Sequence, residues 1–326
     1  LMLRSLEGLY DVDPGFDARG VLVYRVSPPE DRFAGGDEFV EYYRRVMDRV
    51  GSVPGVVSVS GIHLLPLTGA NWSFPMHPEG VETPEGEPTP FANFRVVHPG
   101  YFETMEIEVV AGRPFGSADG AGDPRAAVVN RAFVEKYWPG DDPLGRGVRI
   151  FSADSEPYRV VGVVEDVHQH ALDMAPRPEF YIAHPQWNAK IALWLTVRTE
   201  GDPMDLAAAA REATWSVDPD IPLSDMSRMT DVVGRSTART RFVTVLLGAF
   251  GALALFLAAA GVYGVTSYTV ARRVPELGIR MALGASGSAV TGRTLRNGLA
   301  PVALGLALGL ATAIPGARLM ESLLFG

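Results

Sequence analysis

The sequence of 326 residues contains no cysteine, and this absence excludes both a disulfide framework and a metal site built on thiolates. Acidic residues outnumber basic ones by nine, so nucleic acid is not expected as a partner. A nucleophile motif of the G-x-S-x-G type is also absent. We therefore predict no catalytic, cofactor-binding or metal-ligating residue. The length leaves room for about two domains.

Charged residues are missing altogether from two long stretches near the carboxyl end. Residues 242–271 and 297–317 are uncharged runs of thirty and twenty-one residues. A helix of about 20 apolar residues crosses a hydrocarbon core of about 30 Å, so both runs are predicted to span a membrane. A continuous helix over 242–271 would be about 45 Å long, and its excess is expected to project outward.

Charge also predicts the orientation of these spans. Residues 272–296 contain five arginines and one glutamate, a net charge of +4, and short loops of this kind stay in the cytoplasm. Residues 7–235 contain 20 basic and 36 acidic residues, a net charge of −16, and are predicted to lie outside. Pro275 predicts a break from the membrane helix. The spacing around it predicts an amphipathic helix over 272–290, with an interfacial helix that only lies on lipid as the alternative.

The region before the spans contains two β-α-β patterns. Each combines a strand, a helix and a second extended run: 21–27, 38–50 and 54 onward in the first, and 191–199, 202–217 and 222–229 in the second. We expect Asp37 to cap the first helix. Two such units separated by an insertion predict a split α+β, ferredoxin-like sheet.

The insertion, residues 71–185, is predicted to be a small mixed α/β lobe. Its first part, 71–90, is rich in proline and is predicted to be a loop. The runs FANFRVV, IEVVAG, AAVVN, GVRIF and YRVVGVVEDV are predicted strands, and residues 131–138 a helix. Trp138 ends this helix at a tight turn and is interpreted as a packing anchor, with an exposed binding platform as the alternative.

Three patterns resemble nucleotide-binding, metal-binding or catalytic sites, but a structural role explains each of them better. Residues 287–294 fit the phosphate loop except that Arg293 replaces the lysine, and no strand precedes them. His168 and His170, near Asp166, have a metal-ligand spacing, but a polar strand end also accounts for it. The other histidines and the carboxylate pairs are interpreted as core or surface residues: His63, His77, His98, His184, Asp141, Asp142, Asp218 and Asp220.

The segment RRVPELGIRMALGAS at 272–286, with LFLAAAGVYGVTSYTVA before it, resembles the coupling region of the FtsX-like permease family, the membrane subunits of MacB-type ABC transporters. HPGYFETM, AGRPF, VVNRAFVEKYWPGDDPLGR and YRVVGVVEDV are similar to the periplasmic domains of that family in the same order. The resemblance therefore extends over nearly the whole chain, from VDPGF to LLFG.

The resemblance implies a two-lobed extracytoplasmic domain. Residues 7–70 and 186–235 would form a porter-like lobe that residues 71–185 interrupt, and residues 236–326 would form the membrane region. Residues 1–6 are apolar and are interpreted as the end of a truncated membrane helix, so that the sequence is expected to be a fragment. The expected location is a bacterial inner membrane, with the large domain outside.

The resemblance also implies a non-catalytic permease subunit. Its coupling helix would dock on a separate ABC ATPase subunit, which binds ATP, and would transmit ATP-driven motion to the outer domain for export or mechanotransmission. The expected docking residues are Glu276, Leu277, Gly278, Ile279, Arg280, Ala282, Leu283, Gly284 and Ala285. An FtsX-like regulatory scaffold that activates an extracytoplasmic cell-wall hydrolase is the alternative.

Several further partners are expected. They are a second copy or homologous permease half forming a dimer, the lipid bilayer, and a periplasmic adaptor or outer-membrane channel. In the second predicted span, Gly305 and Gly309 form a GxxxG pair that permits close helix contact, with the general frequency of glycine in membrane helices as the alternative.

Overall fold

The computed structural model describes residues 12–282 except 83–85, 87, 117, 121–123 and 188, and beyond 282 it describes residues 305, 309 and 311. The chain divides into two compact units, residues 1–242 and 243–326. The first unit is a mixed α/β domain, whereas the described part of the second is helical. Residues 1–6 lie outside the described part of the chain.

The first unit contains eleven described strands and four described helices. The strands are β1 Val21–Val26, β2 Val56–Ile62, β3 Ser73–Pro78, β4 Phe91–Val97, β5 Val109–Gly112, β6 Ala126–Asn130, β7 Gly147–Ile150, β8 Tyr158–Val164, β9 Glu179–Ala183, β10 Leu193–Thr199 and β11 Leu223–Arg228. The helices are α1 Gly36–Gly51, α2 Tyr101–Thr104, α3 Arg131–Tyr137 and α4 Ala207–Val217. A fifth helix, α5, covers Met229–Ala282.

Four strands from the two β-α-β patterns lie side by side in the order β11-β1-β10-β2, and all their pairings are antiparallel. Helix α1 packs against β1 and β10 through an apolar stripe at helical spacing, in which Phe39, Tyr43, Val46 and Val50 are all buried. The hydroxyl of Tyr43 donates to the carbonyl of Val26 at 2.6 Å. Helix α4 contributes small residues to the same core, so both helices cover one face of these strands.

The remaining strands form a second group. The neighbours β4-β3-β7-β8-β6-β9 return to β4 through a parallel pairing of β4 with β9, so six strands form a closed ring. Helix α3 packs into the apolar core of the ring through Phe133 and Tyr137. Between the described strands of the two groups, β2 and β4 are paired at Ile62 and Val97. The strand predictions in this part of the chain are confirmed for β4, β6, β7 and β8, and for most of β5.

Two local predictions for the first unit were wrong. Residues 71–90 are not all loop, because Ser73–Pro78 form β3. Pro75 fits in this strand because its carbonyl accepts from the amide of Phe151, while the proline itself has no amide to donate. Asp37 does not cap α1, because the helix begins at Gly36 and its N-cap residue is Gly35. The carboxylate of Glu38 instead accepts from the amide of Ala34 at 2.7 Å.

The helix predicted over 202–217 has two parts. A short 3-10 turn, Pro203–Leu206, precedes α4, and the carboxylate of Asp202 caps this turn by accepting from the amide of Met204 at 2.9 Å. Asp202 also forms an ion pair with Arg228 at the end of β11, at 2.6 Å. These contacts position the end of the sheet from which α5 begins.

Helix α5 begins within the first unit, where Met229 and Val232 are buried in an apolar core. Its backbone is helical through Ala282, so the predicted break near Pro275 was wrong. Proline removes one backbone donor, and long apolar helices tolerate this loss where other contacts satisfy the freed carbonyl. The described part of residues 272–290 therefore belongs to α5.

Candidate functional site

Within the second unit, α5 carries a long and exposed apolar surface. Residues Val245–Thr269 form a 25-residue segment with a mean hydropathy of 2.4 and no buried residue. Among the described residues this is the one helix long and apolar enough to cross a membrane. At 1.5 Å per residue it measures about 38 Å, which exceeds a hydrocarbon core of about 30 Å. The first predicted span therefore coincides with a helix of sufficient length.

Large apolar side chains cover this segment on all sides. Phe250, Leu255, Phe256 and Val265 are each at least 60% exposed. A helix that is apolar all round is stable only when it is buried in protein or in lipid. Water is therefore an unfavourable surrounding for this segment, and a bilayer would cover it.

The predicted docking residues lie at the end of α5 and beyond it. The backbone of residues 276–282 is helical, and the side chain of Ile279 is exposed. Leu283, Gly284 and Ala285 lie outside the described residues, as do residues 287–294 with Arg293. In the second predicted span, Gly305 and Gly309 have helical backbone and are exposed. Docking and glycine-mediated packing remain predictions.

A fully buried ion pair lies in the first unit, and the sequence analysis missed it. Glu179 begins β9, and its carboxylate lies 3.5 Å from the guanidinium of Arg95 on β4, both side chains being 1% exposed. The same carboxylate accepts from Tyr181 at 2.6 Å, from Gln169 at 2.9 Å and from Asn93 at 3.1 Å. Burial raises the pKa of Glu179, while Arg95 and the three neutral donors oppose this rise. Four converging donors favour the ionised carboxylate.

The guanidinium of Arg95 is satisfied less completely than its partner. It donates to the carbonyl of Phe94 and to Asn71, each at 3.0 Å, but its Nε atom has no partner among the described residues. A sequence signal existed, because Arg95 is the single charged residue in the run FANFRVV and Glu179 immediately precedes FYIA. The pairing itself joins positions 84 residues apart, which no local pattern indicates.

The structure does not form a metal site from the candidate ligands His168, His170 and Asp166. Asp166 accepts from the amide of Ala132 and from Asn130, so it holds the start of α3. The Nδ1 atom of His168 lies 2.9 Å from the carbonyl of Met174. Among the residues that the structure describes, no group of three or more His, Cys, Asp or Glu side chains could hold a metal ion. Asp166 therefore has a structural role.

Two other histidines are buried and neutral. Desolvation lowers the pKa of both His63 and His184 to about 3. Within the described part of the chain neither ring nitrogen of His184 has a hydrogen-bond partner, and its ring packs edge-on against those of Phe39 and Tyr43. These histidines act as core residues.

Trp138 is a packing anchor, as predicted. It is 2% exposed, its indole N–H donates to the carbonyl of Glu79 at 2.9 Å, and the guanidinium of Arg146 lies over its ring. Two carboxylates of the predicted turns form ion pairs: Asp141 pairs with Arg146, and Asp218 with Arg32. None of these arrangements forms a catalytic constellation.

Comparisons with known proteins cover nearly the whole chain. A family model described as "MacB-like periplasmic core domain" matches residues 7–215. A second, described as "FtsX-like permease C-terminal", matches residues 248–326. The solved periplasmic region of MacB from Actinobacillus actinomycetemcomitans covers 71% of this chain and 98% of its own, with 14% identity and a TM-score of 0.45.

Curated relatives are ABC transporter permeases by name. The uncharacterized ABC transporter permease YknZ of Bacillus subtilis is 20% identical over 70% of this chain and 57% of its own length. The macrolide export ATP-binding/permease protein MacB of Marinobacter nauticus is 24% identical over 66% of this chain and 34% of its own length. The pyoverdine export ATP-binding/permease protein PvdT of Pseudomonas syringae pv. tomato is 28% identical over 62% of this chain and 33% of its own length. The chain thus spans between a third and somewhat over half of these relatives.

Proposed function

Because the chain belongs to the family that joins a MacB-like periplasmic core domain to an FtsX-like permease C-terminal domain, we propose that it is the permease subunit of an ABC transporter. A separate ATPase subunit binds and hydrolyses ATP, and this chain converts that event into a change of shape in its outer domain. The result is export or mechanotransmission at a bacterial inner membrane. The observation that carries the proposal is the exposed apolar segment Val245–Thr269, which overlaps the start of the FtsX-like match at residue 248.

The coupling path follows α5. Its backbone is helical over Met229–Ala282, and Met229 lies in the apolar core of the first unit. In this mechanism, closure of the ATPase displaces the end of α5 near Glu276. Such coupling requires an element whose contacts differ between two states, and a continuous helix supplies a stiff connection.

The outer domain responds as two lobes in this proposal. The four-strand group comprises strands from 7–70 and 186–235, and the closed ring comprises strands from 71–185. Their described strands are linked by the pairing at Ile62 and Val97, and they share an apolar core that also contains Met229, through which motion of α5 would reach both lobes. The second membrane span, over 297–317, and dimerisation with a second permease chain complete the proposed assembly.

Co-purification tests the docking assignment. The full-length protein is expressed with its cassette ATPase, and the double variant Glu276→Ala, Arg280→Ala is compared with the wild type. We expect association to weaken by about tenfold or more, since truncating an interface hot spot costs about 2 kcal/mol or more and about 1.4 kcal/mol is tenfold. The matched control, Glu79→Ala with Arg159→Ala, removes an exposed ion pair of the first unit and should have no effect.

Unchanged association and unchanged ATP hydrolysis in the double variant would contradict the docking assignment. Sidedness gives an independent test, because residues 1–326 contain no cysteine and Arg280→Cys supplies the one label site within them. A membrane-impermeant reagent should label this position only from the cytoplasmic side. Labelling only from outside would refute the orientation. A bound cell-wall hydrolase without any ATPase would instead support the regulatory scaffold.

A further inference from the structure

The carboxyl end of the apolar segment carries a paired tyrosine and arginine. Tyr268 is 63% exposed and lies one residue before the segment ends at Thr269. The guanidinium carbon of Arg272 lies 5.4 Å from the centre of the Tyr268 ring. Their separation of four residues places both on one face of α5. An aromatic ring and a cation therefore meet where the apolar surface stops.

Each partner of this pair suits the boundary between lipid and water. Tyrosine combines an apolar ring with a polar hydroxyl and is enriched at membrane interfaces. Arginine presents a planar fork of N–H donors that matches two oxygens of a phosphate group. Among the described side chains no carboxylate pairs with Arg272. The donors of its guanidinium are therefore available to an external acceptor.

The charge of the following residues favours an anionic acceptor. Residues 272–296 have a net charge of +4, whereas Val245–Thr269 has none. A basic residue beside an anionic membrane surface contributes about 1 kcal/mol, which corresponds to about fivefold in association. Charge complementarity thus identifies the occupant as an acidic phospholipid headgroup.

We propose that Tyr268 and Arg272 form a binding site for the phosphate of an acidic phospholipid at the cytoplasmic membrane boundary. The guanidinium binds the phosphate oxygens, and the Tyr268 ring holds the guanidinium beside the headgroup. This inference rests on the proposed function, since it requires Val245–Thr269 to cross the bilayer with its carboxyl end inside. The bound lipid would fix the depth of α5 at the end that leads to the coupling residues.

A similar contact elsewhere in the chain provides a matched control. On α4, the guanidinium carbon of Arg211 lies 5.9 Å from the centre of the Trp215 ring, again four residues away. That helix belongs to the first unit, and its hydrogen-bonded neighbours include the carbonyl of Ile221. The pair has the same charge and a similar geometry without an adjoining membrane segment. It should not select a lipid.

The experiment uses the full-length protein in phosphatidylcholine vesicles that contain a trace of spin-labelled phosphatidylglycerol or spin-labelled phosphatidylcholine. The fraction of motionally restricted label gives the relative association of the two lipids. We expect the wild type to prefer phosphatidylglycerol and Arg272→Gln to lower this preference by about fivefold. Arg272→Lys should retain a larger part of it, and Arg211→Gln should leave it unchanged.

Three outcomes would overturn the proposal. In the first, Arg272→Gln leaves the lipid preference unchanged although both lipids remain restricted. In the second, excess inorganic phosphate displaces the labelled lipid, which would indicate a site for free phosphate. In the third, neither lipid is restricted, and the membrane premise fails as well. Co-purification with the ATPase is measured separately, so failure of the lipid site is distinguished from failure of the permease role.

Discussion

Replacing Glu179 with glutamine is expected to destabilise the first unit more than replacing its partner. The substitution keeps the shape of the side chain and removes its charge. Arg95 then remains buried with the carbonyl of Phe94 and the side chain of Asn71 as its acceptors. The reverse change, Arg95→Met, leaves the carboxylate with its three neutral donors. The two variants therefore remove the same ion pair, but the buried charge that each leaves behind is hydrogen-bonded to a different extent.

The size of the effect follows from burial. Breaking a buried ion pair by removing one partner costs about 3–5 kcal/mol, because an uncompensated charge stays in the interior. For a domain of this size, 1 kcal/mol corresponds to about 2–4 °C in melting temperature, so Glu179→Gln should lower Tm by about 6–20 °C. Arg95→Met should cost less, since the hydrogen bonds from Tyr181 and Gln169 remain.

Thermal unfolding of the full-length protein, followed by tryptophan fluorescence, measures both effects. The double variant Arg95→Met, Glu179→Gln should recover part of the loss, because no buried charge is left unpaired. The control is Glu41→Gln, which makes the same chemical change in an exposed ion pair with Arg44. That variant should change the free energy of unfolding only slightly, because solvent screens an exposed ion pair.

Two results would refute this reasoning. A shift of Tm for Glu179→Gln as small as that of the Glu41→Gln control would mean that the charge contributes little. A larger loss for Arg95→Met than for Glu179→Gln would mean that the carboxylate, not the guanidinium, depends on the pair.

Acid should destabilise the first unit, because His184 stays neutral when folded, with a pKa of about 3, but takes up a proton near pH 6.5 when unfolded. Stability is therefore complete above pH 6.5 and falls towards pH 3 by about 1.4 kcal/mol per pH unit for this group. His184→Leu should flatten the dependence of unfolding on pH relative to the wild type, and an unchanged slope would contradict the assignment. Gly15→Ala should reduce thermal stability, since its φ is +84° and a Cβ atom would lie 2.0 Å from the carbonyl of Asp166. Gly201→Ala, where a Cβ meets nothing within 4 Å, is the neutral control, and equal Tm values would refute the strain.

The coarse organisation of the first unit could be predicted from the sequence. The stripe of Phe39, Tyr43, Val46 and Val50 fixes which face of α1 is buried, because helical periodicity is a local property. Strand β9 was missed, although all five of its residues are buried and four are apolar. A short apolar run without alternation does not distinguish a buried strand from other buried structure.

The buried ion pair illustrates what local patterns leave open. Arg95 and Glu179 each looked like an isolated charge in an apolar run. They meet because β4 and β9 pair in parallel, with Asn93 opposite Glu179 and Arg95 opposite Tyr181. Register between distant strands depends on the whole sheet, so their partnership could not be assigned from either run alone.

The sequence by itself determined where the chain is apolar enough to enter a bilayer, because a long run without charge is a property of consecutive residues. It also determined the net charges of +4 and −16 on the two sides of that run. Only the tertiary structure decided that six strands close into a ring and that α5 begins in a buried core at Met229. Those features depend on contacts between residues far apart in the chain, which periodicity and composition do not encode.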